Sequence, residues 1–198
     1  MSQALPGSPG PIGPSFRSEG VNFSVFSKNA RSVELLLFDD VDDDRPSRTI
    51  AFDPLVNRTY HYWHVCVPGL ESGQLYGYRV AGPWEPSRRL RFDGDKLLLD
   101  PYGRGVATGA GYERAAAARA GPNLGKAMKS VLVGDEEYDW QGDRPLGRPY
   151  SESVIYEMHV GGFTRHPSSG VPGELRGTYR GVIEKIPYLR ELGVTAVE

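Results

Sequence analysis

The chain is poor in cysteine, in long apolar runs and in any excess of one charge, and each shortage removes a class of protein. It has 198 residues and one cysteine, Cys66. A single thiol cannot close an internal disulfide, so a disulfide-stapled scaffold is excluded. Cys66 sits in an apolar, aromatic run, which predicts a buried inert thiol. A catalytic cysteine needs a base beside it, and His61 and His64 are too generic to name one. No apolar run approaches the roughly 20 residues that span a bilayer. Met1 to Pro14 has neither a cationic start nor an apolar core segment, so no secretory leader is expected and the cytoplasm is the default compartment. Lys and Arg number 23 against 25 Asp and Glu, a formal net charge of −2. No basic surplus exists to meet nucleic acid or an anionic membrane. Near-neutrality suits an uncharged ligand, and sugars are one such class.

What is present reads as two kinds of structure. Residues 1–14 are rich in Pro, Gly and Ser and predict a flexible lead-in that lies along a surface or stays disordered. From Gly20, apolar Val21, Phe23 and Val25 alternate with Asn22 and Ser24, the period of a half-buried strand. Ser27 to Ala30 turns the chain, and Val33 to Phe38 suits an inner strand. Asp39 to Asp44 carries five acids in six positions. It lacks the central Gly and terminal Glu of a calcium-binding loop, so it is read as a solvated hairpin. Thr49–Phe52, Tyr60–Val67 and Leu75–Ala81 follow as strands, the last with Tyr76, Tyr78 and Val80 on one face. Short strands at intervals of roughly ten residues predict an antiparallel sandwich over residues 15–110. Lys96–Leu99 is a further apolar segment. Residues 103–125, rich in Gly, Ala and Arg, are expected to be a mobile loop with a helical turn at Glu113–Ala120. Ser130–Val133 is a short strand within a loop-and-linker region at 111–152.

The period then changes. Val154–Val160 is apolar and β-prone, ended by Gly161-Gly162. Gly177–Leu192 has helical spacing with one internal proline, and Gly193 stands where a C-terminal cap would. Val194–Val197 is a second apolar run. Strand, helix and strand make a βαβ unit over 153–198, the building block of parallel sheets. Parallel strands are buried on both faces, and two of them cannot bury themselves. The expectation is a truncated piece of a larger fold.

Several segments carry a resemblance. Val154-Ile-Tyr-Glu-Met-His-Val-Gly-Gly-Phe-Thr164 resembles the first barrel strand of the isoamylase and glycogen-debranching branch of the α-amylase superfamily. The stretch from Gly177-Thr-Tyr-Arg-Gly181 to Glu198 resembles its first helix and second strand. Gly20-Val-Asn-Phe-Ser-Val-Phe-Ser27, Gly73 to Val80 and Asp95-Lys-Leu-Leu-Leu-Asp-Pro-Tyr102 resemble its N-terminal module, a starch-binding sandwich of carbohydrate-binding module family 48. The resemblance implies an immunoglobulin-like sandwich of the early-set type, followed by the start of a TIM (β/α)₈ barrel. It implies a parent enzyme hydrolysing α-1,6-glucosidic branch points with retention. Its partners would be α-glucans: glycogen, amylopectin and maltooligosaccharides. Branching and trehalose-releasing enzymes share the layout, and a stand-alone glucan-binding module or a structural protein is a further reading.

That chemistry needs two carboxyl groups at the C-terminal ends of barrel strands, and in this family later strands carry them. No catalytic residue is therefore assigned, and no metal or cofactor is expected. Glu157 and Glu198 would be neighbours in a parallel pair. Glu157 is read as a structural ion pair or hydrogen bond, Glu174 as a loop residue. The substrate-binding candidates are Trp84, Trp63, His159 and Phe163. Aromatic faces stack on glucose rings. Trp84 follows a Gly-Pro turn and is expected to be exposed. Trp63 lies opposite Tyr60 and Tyr62 on its strand, so one of the two faces is core. His159 and Phe163 fall where the first strand gives way to its loop, a place from which to shape a sugar cleft.

Overall fold

A computed structural model describes residues 3–134 and 139–198, which form two compact units. The first two residues of the expected lead-in and residues 135–138 of the expected linker lie outside the described residues.

In the first unit, two antiparallel sheets enclose one core. The strands are β1 (Gly13–Arg17), β2 (Gly20–Phe26), β3 (Ser32–Phe38), β4 (Arg48–Ala51), β5 (Arg58–Thr59), β6 (Tyr62–Val67), β7 (Leu75–Ala81), β8 (Trp84–Glu85), β9 (Leu90–Arg91), β10 (Gly105–Ala107) and β11 (Lys129–Val131). One sheet runs β1-β2-β6-β5 and the other β10-β11-β7-β3-β4, with β8 and β9 as a separate hairpin. Val21, Phe23 and Val25 from one sheet meet Val33, Leu35, Leu37, Tyr76, Tyr78 and Val80 from the other. This is the expected alternation, with burial as the driving force.

The expected half-burial of β2 is exceeded. Asn22 and Ser24 are buried too, because the lead-in covers their face. Ser8 N–H donates to Asn22 Oδ1 at 2.7 Å, and Ser24 Oγ donates to Pro9 O at 2.8 Å. Leu5 bridges Cys66 through two backbone hydrogen bonds. The lead-in is thus pinned along the sheet rather than disordered, and it completes the burial of Cys66. That burial pushes the thiol pKa up, as for an inert core cysteine.

Three segments differ from expectation and a fourth gains an anchor. The strand expected from Tyr60 starts at Tyr62. Tyr60 and His61 form the two-residue turn between Thr59 and Tyr62, with Tyr60 at φ 58°. The region expected to be linker supplies β11, which pairs with β7 and β10. The sandwich therefore extends past residue 110. The acidic run is the β3–β4 connection as expected, but it is also anchored. The buried Lys129 ammonium donates to Asp43 O at 3.0 Å and to Val41 O, and stands 4.6 Å from the centre of the Phe38 ring. Finally, Lys96–Leu99 does not join a sheet fully. It runs beside β7 with one antiparallel bridge, Tyr78 to Leu98, and buries Leu97 against Leu36 and Phe38.

Asp100 knots this segment to the sheet. Tyr76 Oη donates to its Oδ2 at 3.0 Å, Tyr102 N–H to its Oδ1 at 2.8 Å, and its own N–H reaches Ser130 Oγ at 2.9 Å. Burial raises the carboxyl pKa against the opposing pull of those donors. A raised folded-state pKa means that the fold holds this proton more firmly than the unfolded chain does. The resulting stabilisation is full below the ordinary Asp value of about 3.9 and is lost as pH rises through the raised value. The stability gap between the natural chain and Asp100→Asn is therefore expected to narrow as pH goes from about 3.5 to about 7. Denaturant midpoints at the two pH values measure it, and a widening gap would contradict the assignment.

The second unit contains β12 (Ile155–Tyr156), α1 (Val160–Phe163), α2 (Tyr179–Glu184), α3 (Ile186–Glu191) and β13 (Ala196–Val197). β12 and β13 pair in parallel, Ile155 opposite Ala196 and Tyr156 opposite Val197. Met158 N–H to Glu198 O and Glu198 N–H to Tyr156 O continue the ladder. The first strand is shorter than expected. Val160, Gly161 and Gly162 enter a one-turn helix because His159 caps it, Nδ1 accepting from Gly162 N–H at 3.0 Å. The expected long helix is broken between α2 and α3 at Lys185, beside Pro187, which has no N–H to continue the ladder.

Gly177-Thr-Tyr-Arg-Gly181 starts α2. Thr178 Oγ1 accepts from Gly181 N–H at 3.2 Å, an N-cap. A Cβ on Gly181 would lie 2.4 Å from Leu175 O, so only glycine fits. At the other end, Gly193 has φ 85°, its N–H donates to Arg190 O, and Val194 N–H donates to Leu189 O. That pair of bonds is a Schellman cap, at the residue expected to cap the helix.

Candidate functional site

The sandwich unit carries a cleft of about 1140 Å³, large enough for several sugar rings. Its floor is core: Val25, Tyr78 and Val80 reach through from the two sheets. One rim is the β8–β9 hairpin, placed by the Gly82-Pro83 turn. Trp84 stands on it, 64% exposed, and Phe26, Leu98 and Leu99 add exposed apolar surface to the lining. A large aromatic left in solvent beside a concave apolar surface is the usual form of a small-molecule site.

The other wall is residues 117–120, part of the insert expected to be mobile. It is instead held from below. Lys96 is buried, and its ammonium donates to Ala116 O at 2.9 Å, to Gly121 O at 2.6 Å and to Arg119 O. Three donors meet three converging carbonyls, so the charge is solvated by backbone in place of water. Beside it, Asn123 clasps Leu97, accepting its N–H at 2.7 Å and donating to its carbonyl at 3.3 Å. Glu113 pairs with Arg119 and Lys126 at 2.7 and 2.8 Å on the outer side.

Lys96→Met keeps the stem and removes the three donors. It is expected to leave the sandwich folded but to destabilise it by about 2 kcal/mol, and to make Arg114 and Arg119 early sites of tryptic cleavage. Thermal melts and timed proteolysis measure the two effects. An unchanged cleavage pattern would show that Lys96 does not hold the wall.

The four candidate residues separate. Trp84 is exposed as expected, and it lines the cleft. Trp63 is not available to a sugar. It is 0% exposed within the core, its indole N–H donates to Ser27 O at 3.1 Å, and the Arg58 guanidinium carbon lies 4.8 Å from its ring centre. Of the two faces of β6, the one holding Trp63 is core. His159 and Phe163 lie in the other unit, at opposite ends of α1. His159 is exposed but engaged as a cap, and Phe163 is half-buried against Tyr156, ring centres 6.0 Å apart. Glu157 and Glu198 face each other across the continued ladder, both exposed, and among the described residues Glu157 makes no ion pair. Among the described residues no three His, Cys, Asp or Glu side chains gather as a metal site, and no helix is long and apolar enough to cross a membrane. Lys96 and Asn123 were missed in the sequence. A lone Lys heading the run Lys96-Leu-Leu-Leu99 was the signal for the first; Asn123 in a Gly-Pro-Asn turn gave none.

Comparison with known proteins fits this geometry. Residues 11–103 match the family model for carbohydrate-binding module 48, the isoamylase N-terminal domain, so the cleft-bearing sandwich is a module of that class. The chain is 41% identical over 97% of its length to chloroplastic isoamylase 1 of Arabidopsis thaliana, covering 24% of that protein. It is 41% identical over its whole length to the glycogen debranching enzyme of Dickeya chrysanthemi, and 43% identical to that of Yersinia pestis, covering 30% of each. The chain is similar along its length to isoamylase and glycogen debranching enzymes and spans about a quarter to a third of the length of these relatives. In fold it is similar to the catalytic module of the multi-modular glycogen-degrading pneumococcal virulence factor SpuA, with 25% identity, 95% of this chain and 26% of that one covered and a TM-score of 0.69. It is also similar to the Group B Streptococcus pullulanase SAP in complex with maltotetraose, with 24% identity, 95% and 23% covered and a TM-score of 0.68.

Proposed function

We propose that this chain is the N-terminal portion of a debranching enzyme that hydrolyses α-1,6-glucosidic branch points in glycogen or starch with retention. The observation that carries the reading is the run of 41–43% identity along the full chain to debranching enzymes. The parallel β12–β13 pair, joined through helices, supports reading the second unit as the opening of a (β/α)₈ barrel. Its strands expose Ile155, Tyr156 and Val197, where strands of a closed parallel barrel are covered.

Retaining hydrolysis needs a nucleophile and an acid about 5–5.5 Å apart at strand ends. Glu157 and Glu198 sit within the ladder and are exposed. On this reading they are not that pair, and the 198-residue chain alone hydrolyses nothing. In the sandwich, a glucose ring stacks on Trp84 and the chain of an α-glucan lies along the cleft. His159 and Phe163 shape the first barrel loop near the sugar path. Reading the gene past Glu198 tests the proposal. Further strand–helix repeats with Asp and Glu at strand ends are expected, and the longer protein should release linear chains from amylopectin while the 198-residue chain releases none. New branches or free trehalose as product would move the parent to a sister activity. A stop codon at that point, with binding of maltoheptaose retained, would make this a stand-alone glucan-binding module.

A further inference from the structure

The hairpin that carries Trp84 also carries arginines at 88, 89 and 91, and they are not equivalent. Arg88 is paired with Glu85 at 2.8 Å. Arg89 and Arg91 both line the cleft, and among the described residues neither has an ion-pair partner. Arg91 is the cross-strand partner of Trp84. Directly opposed residues of an antiparallel pair project from the same face with Cβ atoms about 4.5–5.5 Å apart, so the Arg91 side chain leaves the hairpin on the same face as the indole. Arg89 is held at φ 62°, a left-handed conformation that non-glycine residues rarely adopt.

The remaining charges of the lining are engaged or few. Lys96 is enclosed by three carbonyls and Arg119 pairs with Glu113. Asp93 is the one acid on the lining, and its Oδ1 accepts Asp95 N–H at 3.0 Å. Two uncommitted guanidinium groups beside a stacking surface exceed what an uncharged sugar requires. A guanidinium fork matches a phosphate in two parallel hydrogen bonds. A phosphate ester on a ring stacked over Trp84 would lie within reach of the long Arg91 side chain, which leaves the paired position on the same face.

We propose that the cleft takes α-glucan chains bearing phosphate monoesters, with the sugar ring on Trp84 and the phosphate held by Arg91 and Arg89. This rests on the reading of the cleft as a glucan site and narrows its ligand. Calorimetry on the full chain would use four probes: maltoheptaose, maltoheptaose carrying one 6-phosphate, glucose 6-phosphate and inorganic phosphate. At low ionic strength the phosphorylated heptaose is expected to bind about tenfold more tightly than the neutral one. That ratio should fall towards one in the double variant Arg89→Gln/Arg91→Gln and in about 1 M salt, where charges are screened within about 3 Å. Inorganic phosphate and glucose 6-phosphate should bind far more weakly than the phosphorylated heptaose. Equal affinities for the two heptaoses would overturn the proposal, as would a ratio that survives the double variant. Inorganic phosphate binding as tightly as the phosphorylated heptaose would reduce the site to one for free anions. Failure of the glucan reading itself looks different: neither heptaose binds, or Trp84→Ala changes neither affinity.

Discussion

Trp63→Ala is expected to destabilise the sandwich unit by about 3–5 kcal/mol, the range for deleting a fully buried aromatic. Three losses combine. The indole is wholly enclosed, so its removal leaves a cavity that strands on both sides resist closing. Ser27 O loses the indole N–H at 3.1 Å in the turn between β2 and β3. Arg58 loses the ring beneath its guanidinium, 4.8 Å away. A loss of this size is comparable to the whole stability of many domains, so the variant should be largely unfolded at 37 °C, and denaturant unfolding of Trp63→Phe provides a measurable intermediate. A Trp63→Ala protein with a near-natural midpoint and reduced glucan affinity would instead make Trp63 a ligand contact.

The contrast between Trp63 and Trp84 shows where the sequence is readable. Period two assigns Trp63 to one face of β6 and Tyr62 to the other, but it does not say which face looks inward. The opposite sheet decides that, through Val33, Leu35, Leu37, Tyr76, Tyr78 and Val80. Trp84 was readable because a Gly-Pro turn takes it out of the alternation. The β2 and β7 strands were legible from alternation, and β3 from its nearly continuous apolar run, which buries Val33, Leu35 and Leu37 on one face and Leu36 and Phe38 on the other. Other features depend on contacts remote in sequence. The lead-in is ordered by Asn22, Ser24 and Cys66, which no local pattern at residues 3–12 announces. The Ala- and Arg-rich wall is ordered by Lys96, about 20 to 25 residues upstream of the carbonyls it holds. In the second unit the glycines were legible where the backbone needs them, at Gly193. They misled at Gly161 and Gly162, where the His159 cap outweighs poor helix propensity over a single turn.

Trp84→Ala is the second large effect, and it should fall on binding rather than on folding. The residue is 64% exposed on a two-stranded hairpin, so its removal is expected to change stability by under about 0.5 kcal/mol. Its ring is the largest exposed flat surface on the cleft lining, and the apolar area it offers a glucose face has no substitute nearby. Phe26 is half-exposed and Leu98 and Leu99 are not planar. Loss of a central aromatic contact of this kind is worth about 2 kcal/mol, roughly a thirtyfold drop in affinity for maltoheptaose. Trp84→Phe should recover a good part of it, because a smaller ring still stacks. Calorimetry at matched folded fractions separates the two quantities. If Trp84→Ala bound maltoheptaose as the natural chain does, the cleft would not be the sugar site, and the exposed aromatic would have to be explained as a surface for protein contact.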